Sequence, residues 1–208
     1  MGKNSFEVIC PVGKGGFGKV WKVRCKKTGQ IFAMKEMQKA KIINKKSINS
    51  VLNERTLLAE LNHSYLVNMK YSFQDRENLY LVLDYLNGGD LRYHIGCRNK
   101  FSERETKFFV ANIIISLEYL HGRKIIHRDL KPENFVFDSE GYLRVTDLGV
   151  SRITKEDNHQ DTSGTPGYMA PEVICHNNHS FTADYFALGV MGYEFMLGRR
   201  PYNGRNRK

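Results

Sequence analysis

Cysteine is sparse in this chain and poorly placed for either of its structural uses. The four thiols among 208 residues are Cys10, Cys25, Cys97 and Cys175. No two form a CxxC pair and no histidine completes a zinc-ligand spacing, which argues against a zinc module. Free thiols in a reducing compartment are expected, and with them a cytoplasmic location, the nucleus included. Long apolar runs are missing too, so no stretch is expected to span a bilayer, and no signal-peptide core opens the chain. Met1-Gly2 is followed by Phe6, where an N-myristoylation motif needs Ser or Thr. Internal repeats and low-complexity tracts are absent. Acidic residues are outnumbered, 22 against 32 Lys and Arg, for a formal charge of +10. Such an excess favours anions: nucleotide, acidic surfaces or nucleic acid. The basic residues do not interleave with exposed aromatics in one stripe, so no nucleic-acid partner is expected.

What is present reads as an ordinary globular composition, 41% hydrophobic, long enough for one large domain or two lobes sharing a cleft. Residues 6 to 37 carry strand formers (Val8, Val12, Val20, Val23, Ile31, Phe32) with a turn at Thr28-Gly29. Ile31, Ala33 and Lys35 alternate and therefore share one strand face. Lys39 to Lys46 reads as a basic connector. A helix is predicted over 50–61, and strands at Leu66-Val67 and over 79–84. Asn87-Gly88-Gly89 marks a turn or hinge. Thereafter the periodicity is helical. Ser102 and Glu105 form a capping box for a helix reaching His121, with Phe109, Ile113, Leu117 and Leu120 as its buried stripe. Ser151 to Gly167 is polar and charged, as a mobile segment would be. The helix over 182–197 is apolar on every side and so is expected to be buried on every side.

The chemistry concentrates in three places. Gly13-Lys14-Gly15-Gly16-Phe17-Gly18-Lys19-Val20 is a loop whose glycines can adopt positive φ and bring backbone N–H groups close to phosphate. The strand pattern that follows argues against a dinucleotide fold, in which such a loop opens a helix. A plain hairpin turn stays open. Lys35 on an inward face needs anions, and Glu54 or phosphates would serve; a surface lysine on an edge strand is the other reading. In His127-Arg128-Asp129-Leu130-Lys131-Pro132-Glu133-Asn134, Asp129 is a candidate base. Asn134 and Asp147 offer the oxygen ligands that Mg²⁺ prefers. Taken together these point to phosphoryl transfer with nucleotide and Mg²⁺.

The ordered set of glycine loop, Lys35, Glu54, the run from His127 to Asn134, and Asp147-Leu148-Gly149 resembles the eukaryotic protein kinases over almost the whole chain. The resemblance implies an α+β, bilobal fold: a β-rich N-lobe over 6–85 and an α-rich C-lobe over 86–208, incomplete at its end. It implies ATP and Mg²⁺ as cofactors and a protein substrate. It gives Asp129 the role of base, with Lys131 beside it. Asn134 and Asp147 become metal ligands, and Lys35 a phosphate ligand paired with Glu54. Val12, Gly13 to Val20, Ala33, Leu83, Asp84 and Tyr85 would surround the nucleotide. Lys131 and Thr165 resemble the serine/threonine signature, with Thr165 among the residues that would recognise substrate. Ser72-Phe73-Gln74-Asp75 and Gly88-Gly89-Asp90-Leu91 resemble the AGC group. Gly89 to His94 and Gly198 to Tyr202 resemble its YANK branch. Asp90, Glu133 and Glu194 match acidic positions that face arginine or lysine of the substrate in basophilic relatives.

Two departures from that family carry expectations. Asp161 stands where many relatives phosphorylate a threonine, so a carboxylate could pair with Arg128 without modification, with Thr162 as an optional site. The sequence stops soon after the apolar helix, so a fragment, or a partner that covers this helix, is expected. Two other functions stay open: a nucleotide-holding regulatory module without turnover, and a basic nucleic-acid binder.

Overall fold

Alternation of β-branched and aromatic residues with polar ones builds the first unit. The computed structural model describes residues 1–160 and 162–202. Its first unit contains β1 (Phe6–Lys14), β2 (Gly18–Cys25), β3 (Ile31–Gln38), α1 (Lys39–Asn44), α2 (Ile48–Glu60), β4 (Met69–Gln74) and β5 (Asn78–Asp84). The strands form one antiparallel sheet in the order β1-β2-β3-β5-β4. One face buries Phe6, Val23, Phe32, Met34, Tyr80 and Val82, with Trp21, Tyr71 and Phe73 packed against them. Phe73 stacks on Phe6 at 6.0 Å and on Tyr80 at 4.9 Å. Because side chains alternate, the opposite face carries Val20 beside Lys35 and Ala33 beside Leu83, paired across the strands.

Two expectations change here. The basic stretch after β3 is not a plain connector: residues 39–44 coil into α1, whose Ile42 is buried and gives the segment an apolar anchor. The strand anticipated at Leu66-Val67 begins at Met69 instead, and Leu66 makes an isolated parallel bridge to Val145.

The second unit contains α3 (Leu91–Arg98), α4 (Glu103–His121), β6 (Ile125–Ile126), a 3₁₀ turn (Pro132–Asn134), β7 (Phe135–Phe137), β8 (Leu143–Val145), β9 (Arg152–Ile153), α5 (Pro171–Ile174) and α6 (Thr182–Leu197). The predicted stripe of α4 is buried at Phe109, Ile113, Leu117 and Leu120. Phe101, Phe109 and Phe195 meet edge to face, linking α4 to α6. The α6 helix ends at Gly198 with φ 70°, and a Cβ there would sit 2.7 Å from the Asn99 carbonyl oxygen. Only glycine meets both demands. Burial on every side of α6 is not observed. Ala187, Leu188, Val190, Met191 and Phe195 are buried, whereas Tyr185, Met196 and Leu197 are exposed. Among the described residues no helix is long and apolar enough to cross a membrane.

The first unit comprises Met1–Asn62 and Val67–Leu86; the second takes His63–Leu66 and the chain from Asn87 onward. The four-residue excursion has a physical cause. The His63 ring stacks on Tyr119 at 4.3 Å, and the Tyr65 carbonyl accepts from the Val145 amide at 2.9 Å.

The start of α4 is closed reciprocally. The Glu105 amide donates to Ser102 Oγ at 3.3 Å, and the Ser102 amide donates to Glu105 Oε2 at 2.9 Å. Arg98, then Ser102, hold the Glu105 carboxyl well below its ordinary range, at about 2. A depressed folded-state value stabilises above the unfolded glutamate value, near 4.3, and that contribution fades as pH falls toward 2. Ser102→Ala is expected to cost about 1 kcal/mol, lowering Tm by roughly 2–4 °C at neutral pH. The deficit of Glu105→Gln against wild type, followed by thermal melts, is expected to shrink between about pH 4.5 and 2.

Candidate active site

The glycine loop joins β1 to β2, with the Gly15 amide donating to the Gly18 carbonyl at 3.0 Å. None of Gly13, Gly15, Gly16 or Gly18 is among the positive-φ glycines. The expectation of left-handed backbone there is therefore corrected. Gly18 is required for another reason: a Cβ would overlap the Glu36 carbonyl of β3, across the strand pair. Lys45, just beyond α1, donates to the Gly16 carbonyl at 2.9 Å and lies 5.5 Å over the Phe17 ring. Nothing in the local pattern around Lys45 signals this tie.

Lys35 and Glu54 meet as the motif reading expects. Lys35 Nζ lies 2.7 Å from Glu54 Oε1, and the glutamate is buried on α2. This excludes an exposed edge-strand lysine. Val12 is exposed, whereas Val20, Ala33 and Leu83 are half-buried. The Asp84 carboxylate accepts from the Asn68 amide at 3.1 Å and side chain at 3.2 Å, and lies 3.4 Å from Lys70. It thereby locks the start of β4 onto the end of β5. The Tyr85 ring lies 4.7 Å beneath Lys22 Nζ.

In the second unit one carboxylate organises a compact cluster. Asp129 Oδ1 accepts from the Thr165 hydroxyl at 2.6 Å, and Oδ2 accepts from Lys131 Nζ at 2.6 Å. Lys131 also donates to Thr165 Oγ1 at 2.8 Å, closing a triangle. Asn134 donates to the Asp129 carbonyl at 2.8 Å, so its own amide oxygen is turned away from that contact. The Thr146 amide donates to the Asn134 carbonyl at 2.9 Å, which fixes the segment leading into Asp147 beside the 3₁₀ turn. Asp147 has φ 52° and accepts from the Gly149 amide at 3.0 Å. Amide and carboxylate oxygens are hard donors. Two such side chains suit Mg²⁺, which is commonly held by one or two protein ligands together with phosphate oxygens and water. The donor set therefore fits the ion.

The cluster rests on a residue that the motif reading passed over. Asp184, on α6 and 1% exposed, accepts from the backbone amides of His127 at 2.9 Å and Arg128 at 2.8 Å. His121 Nε2 lies 2.8 Å from the same carboxylate. An acid in the first turn of a largely apolar helix was the available signal. Arg128 sits at φ 71°, and its guanidinium donates to the Val150 carbonyl through Nε at 2.7 Å and through Nη2. Its anticipated partner, Asp161, lies outside the described residues; Thr162 is exposed.

The acids expected to read substrate divide. Asp90 caps α3, accepting from the Tyr93 amide at 2.8 Å. Glu133 and Glu194 converge on Arg92. Nε lies 3.0 Å from Glu133, Nη1 2.8 Å from Glu194 Oε1, and Nη2 3.3 Å from Glu194 Oε2. Tyr168 accepts from Arg92 at 2.5 Å and donates to Glu194 at 2.5 Å. Burial opposes the Arg92 charge, but its bonds to Glu194, then the Tyr168 and Glu133 contacts, raise its pKa further above an already high value. Burial, then the bond to Glu194, pushes the Tyr168 phenol up. Thr165, matched to the substrate-recognition residues, belongs to the Asp129 cluster.

The sequence matches the protein kinase domain family over residues 6–208. This chain belongs to the protein kinase family. The kinase domain is 42% identical over 205 residues to "Protein kinase 2" of Dictyostelium discoideum, covering 98% of this chain and 43% of that protein. It is 41% identical to the "RAC family serine/threonine-protein kinase homolog" of the same organism, covering 97% of this chain and 46% of the relative. Against "Serine/threonine protein kinase ypkA" of Aspergillus fumigatus it is 40% identical, covering 97% and 32%. The chain thus spans less than half the length of the curated relatives it matches.

Removing the Asp184 carboxylate leaves two buried backbone donors without an acceptor, each costing about 1–3 kcal/mol. Asp184→Ala is expected to lower stability by about 3 kcal/mol or more. Asp184→Asn, which keeps one acceptor oxygen, is expected to fall between it and wild type. Urea unfolding midpoints at unchanged m-value measure both.

Proposed function

We propose that this protein is a serine/threonine protein kinase that transfers the γ-phosphoryl group of ATP to hydroxyl groups of protein substrates. The observation that carries the reading is the Asp129 carboxylate, held by Lys131 and Thr165, with Asn134 on the Asp129 backbone carbonyl. It is supported by relatives at 40–42% identity that are named as serine/threonine kinases. Kinases of this family generally use ATP and Mg²⁺. Ser72 to Asp75, Gly88 to His94 and Gly198 to Tyr202 support a finer placement in the AGC group and its YANK branch. Four unpaired thiols support a cytoplasmic or nuclear setting.

In this reading the acceptor hydroxyl donates its proton to Asp129. A carboxylate has about four lone-pair directions. Thr165 and Lys131 use one on each oxygen, and the 2.6 Å Thr165 contact displays the geometry of a hydroxyl donor at that group. Lys131 Nζ, a point charge beside the carboxylate, is placed to offset charge gathering on phosphoryl oxygens. Asn134 and Asp147 would hold Mg²⁺, which when bound neutralises phosphate charge. In the first unit the loop from Gly13 to Lys19 would cover phosphates, Lys35 would bind them, and Val20, Ala33 and Leu83 would cover the adenine. Glu54 keeps Lys35 extended across its sheet face.

Mixing the full chain with labelled ATP, Mg²⁺ and a serine- or threonine-containing protein is expected to label hydroxyl side chains. Asp129→Asn is expected to lower the rate by about 10²–10⁴-fold, the usual range for losing a general base, with nucleotide affinity unchanged. Nucleotide binding without any transfer by wild type would instead select the regulatory-module reading. Salt-sensitive RNA affinity indifferent to ATP would select a nucleic-acid binder.

A further inference from the structure

We propose that Arg92 is a specificity-determining residue. It fills, from within the chain, the two-carboxylate site made by Glu133 and Glu194, and so leaves the protein nearly indifferent to arginine around the acceptor serine or threonine. The inference rests on the kinase reading and deepens it by naming the substrate class.

Position comes first. Glu133 lies two residues after Lys131 and directly before Asn134, and Tyr168 lies three residues after Thr165. Lys131, Asn134 and Thr165 all bond to Asp129. The acid pair therefore adjoins the carboxylate where an acceptor hydroxyl would bind. A peptide lying there would pass a carboxylate site shaped for a planar, forked cation.

That site is already taken. Each of the three guanidinium nitrogens of Arg92 is engaged. Glu194, 5% exposed, receives Arg92 on both oxygens and the Tyr168 hydroxyl on Oε2. One positive and two negative charges leave a single negative charge over. It falls on Glu133, whose side chain is 45% exposed. Exposed ion pairs contribute little, so a peptide arginine would gain no more than about fivefold from it. Without Arg92 the buried Glu194 would lose its only cation contact among those described. An incoming arginine could then replace it, and leaving a buried charge unpaired typically costs a factor of about thirty or more.

The test uses the full chain and synthetic peptides with one serine, in which arginine replaces alanine in turn at the five positions on either side. Two ratios of arginine to alanine peptide are read: kcat/KM for phosphorylation, and affinity by fluorescence anisotropy without nucleotide. In wild type both are expected to stay below about tenfold at every position. In Arg92→Ala one position is expected to exceed tenfold, and adding Glu194→Gln is expected to abolish that gain. Arg92→Met, which keeps the apolar stem, serves if the alanine variant does not fold. Wild type preferring arginine by more than about tenfold overturns the assignment without any variant, because Arg92 must then yield to substrate. Unchanged ratios in both Arg92 variants overturn it as well. If no peptide is phosphorylated but the affinity ratios behave as stated, the kinase reading fails and the Arg92 assignment stands.

Discussion

A single buried carboxylate governs the shape of the segment that carries Asp129. Asp184 takes the amides of two consecutive residues, His127 and Arg128, and the second holds a left-handed backbone that L-residues adopt only when compelled. A carboxylate serves better here than a neutral acceptor, since bonds to an ionised group are roughly twice as strong. The chain is bent at residue 128, and residue 129 leaves that bend with its side chain presented to Lys131 and Thr165. The Arg128 guanidinium reaches Val150, so the same bend also ties down the segment after Asp147. The geometry around Asp129 is thus set from behind, by a helix that takes no part in the cluster itself.

Polar groups in the second unit work in closed sets rather than in pairs. Lys131, Thr165 and Asp129 satisfy one another, as do Arg92, Tyr168, Glu194 and Glu133. In a low-dielectric setting such sets rigidify their members and resist the loss of any one. The two clusters share short chain segments, 131–134 and 165–168, so a disturbance in one has a short covalent path to the other.

Much of the fold was legible in the sequence wherever local chemistry and tertiary role agree. The capping box at Ser102 and Glu105, the stripe of α4 and the bounds of α6 follow from periodicity. Lys35 with Glu54, and Asp129 with Asn134, follow from motif spacing. What was not legible depends on distant partners. The stretch 39–44 is too short for a helical period to show, and only the burial of Ile42 reveals why it coils. Leu66 and Val67 look like a strand by residue type, but the ladder begins at Met69, next to the Asn68 amide that Asp84 anchors. Gly18 reads as a phosphate-loop glycine by motif, and the neighbouring strand that also requires its lack of a side chain is not visible locally. Glu133 and Glu194 read as substrate acids by motif position, and nothing local shows that Arg92, many residues away, reaches them.

The loan of His63–Leu66 to the second unit bears on how the molecule can be taken apart. The polypeptide passes from one unit to the other three times, at 62/63, 66/67 and 86/87. A single backbone cut at any of these junctions would leave at least one further covalent tether. Excising the sheet as an autonomous fragment would need residues 1–86, and would carry along His63 and Tyr65 stripped of Tyr119 and Val145. Conversely, the helical part expressed from residue 87 would lack the short insert that caps its own β8. Dissection of this protein into halves along the linear sequence would therefore wound both.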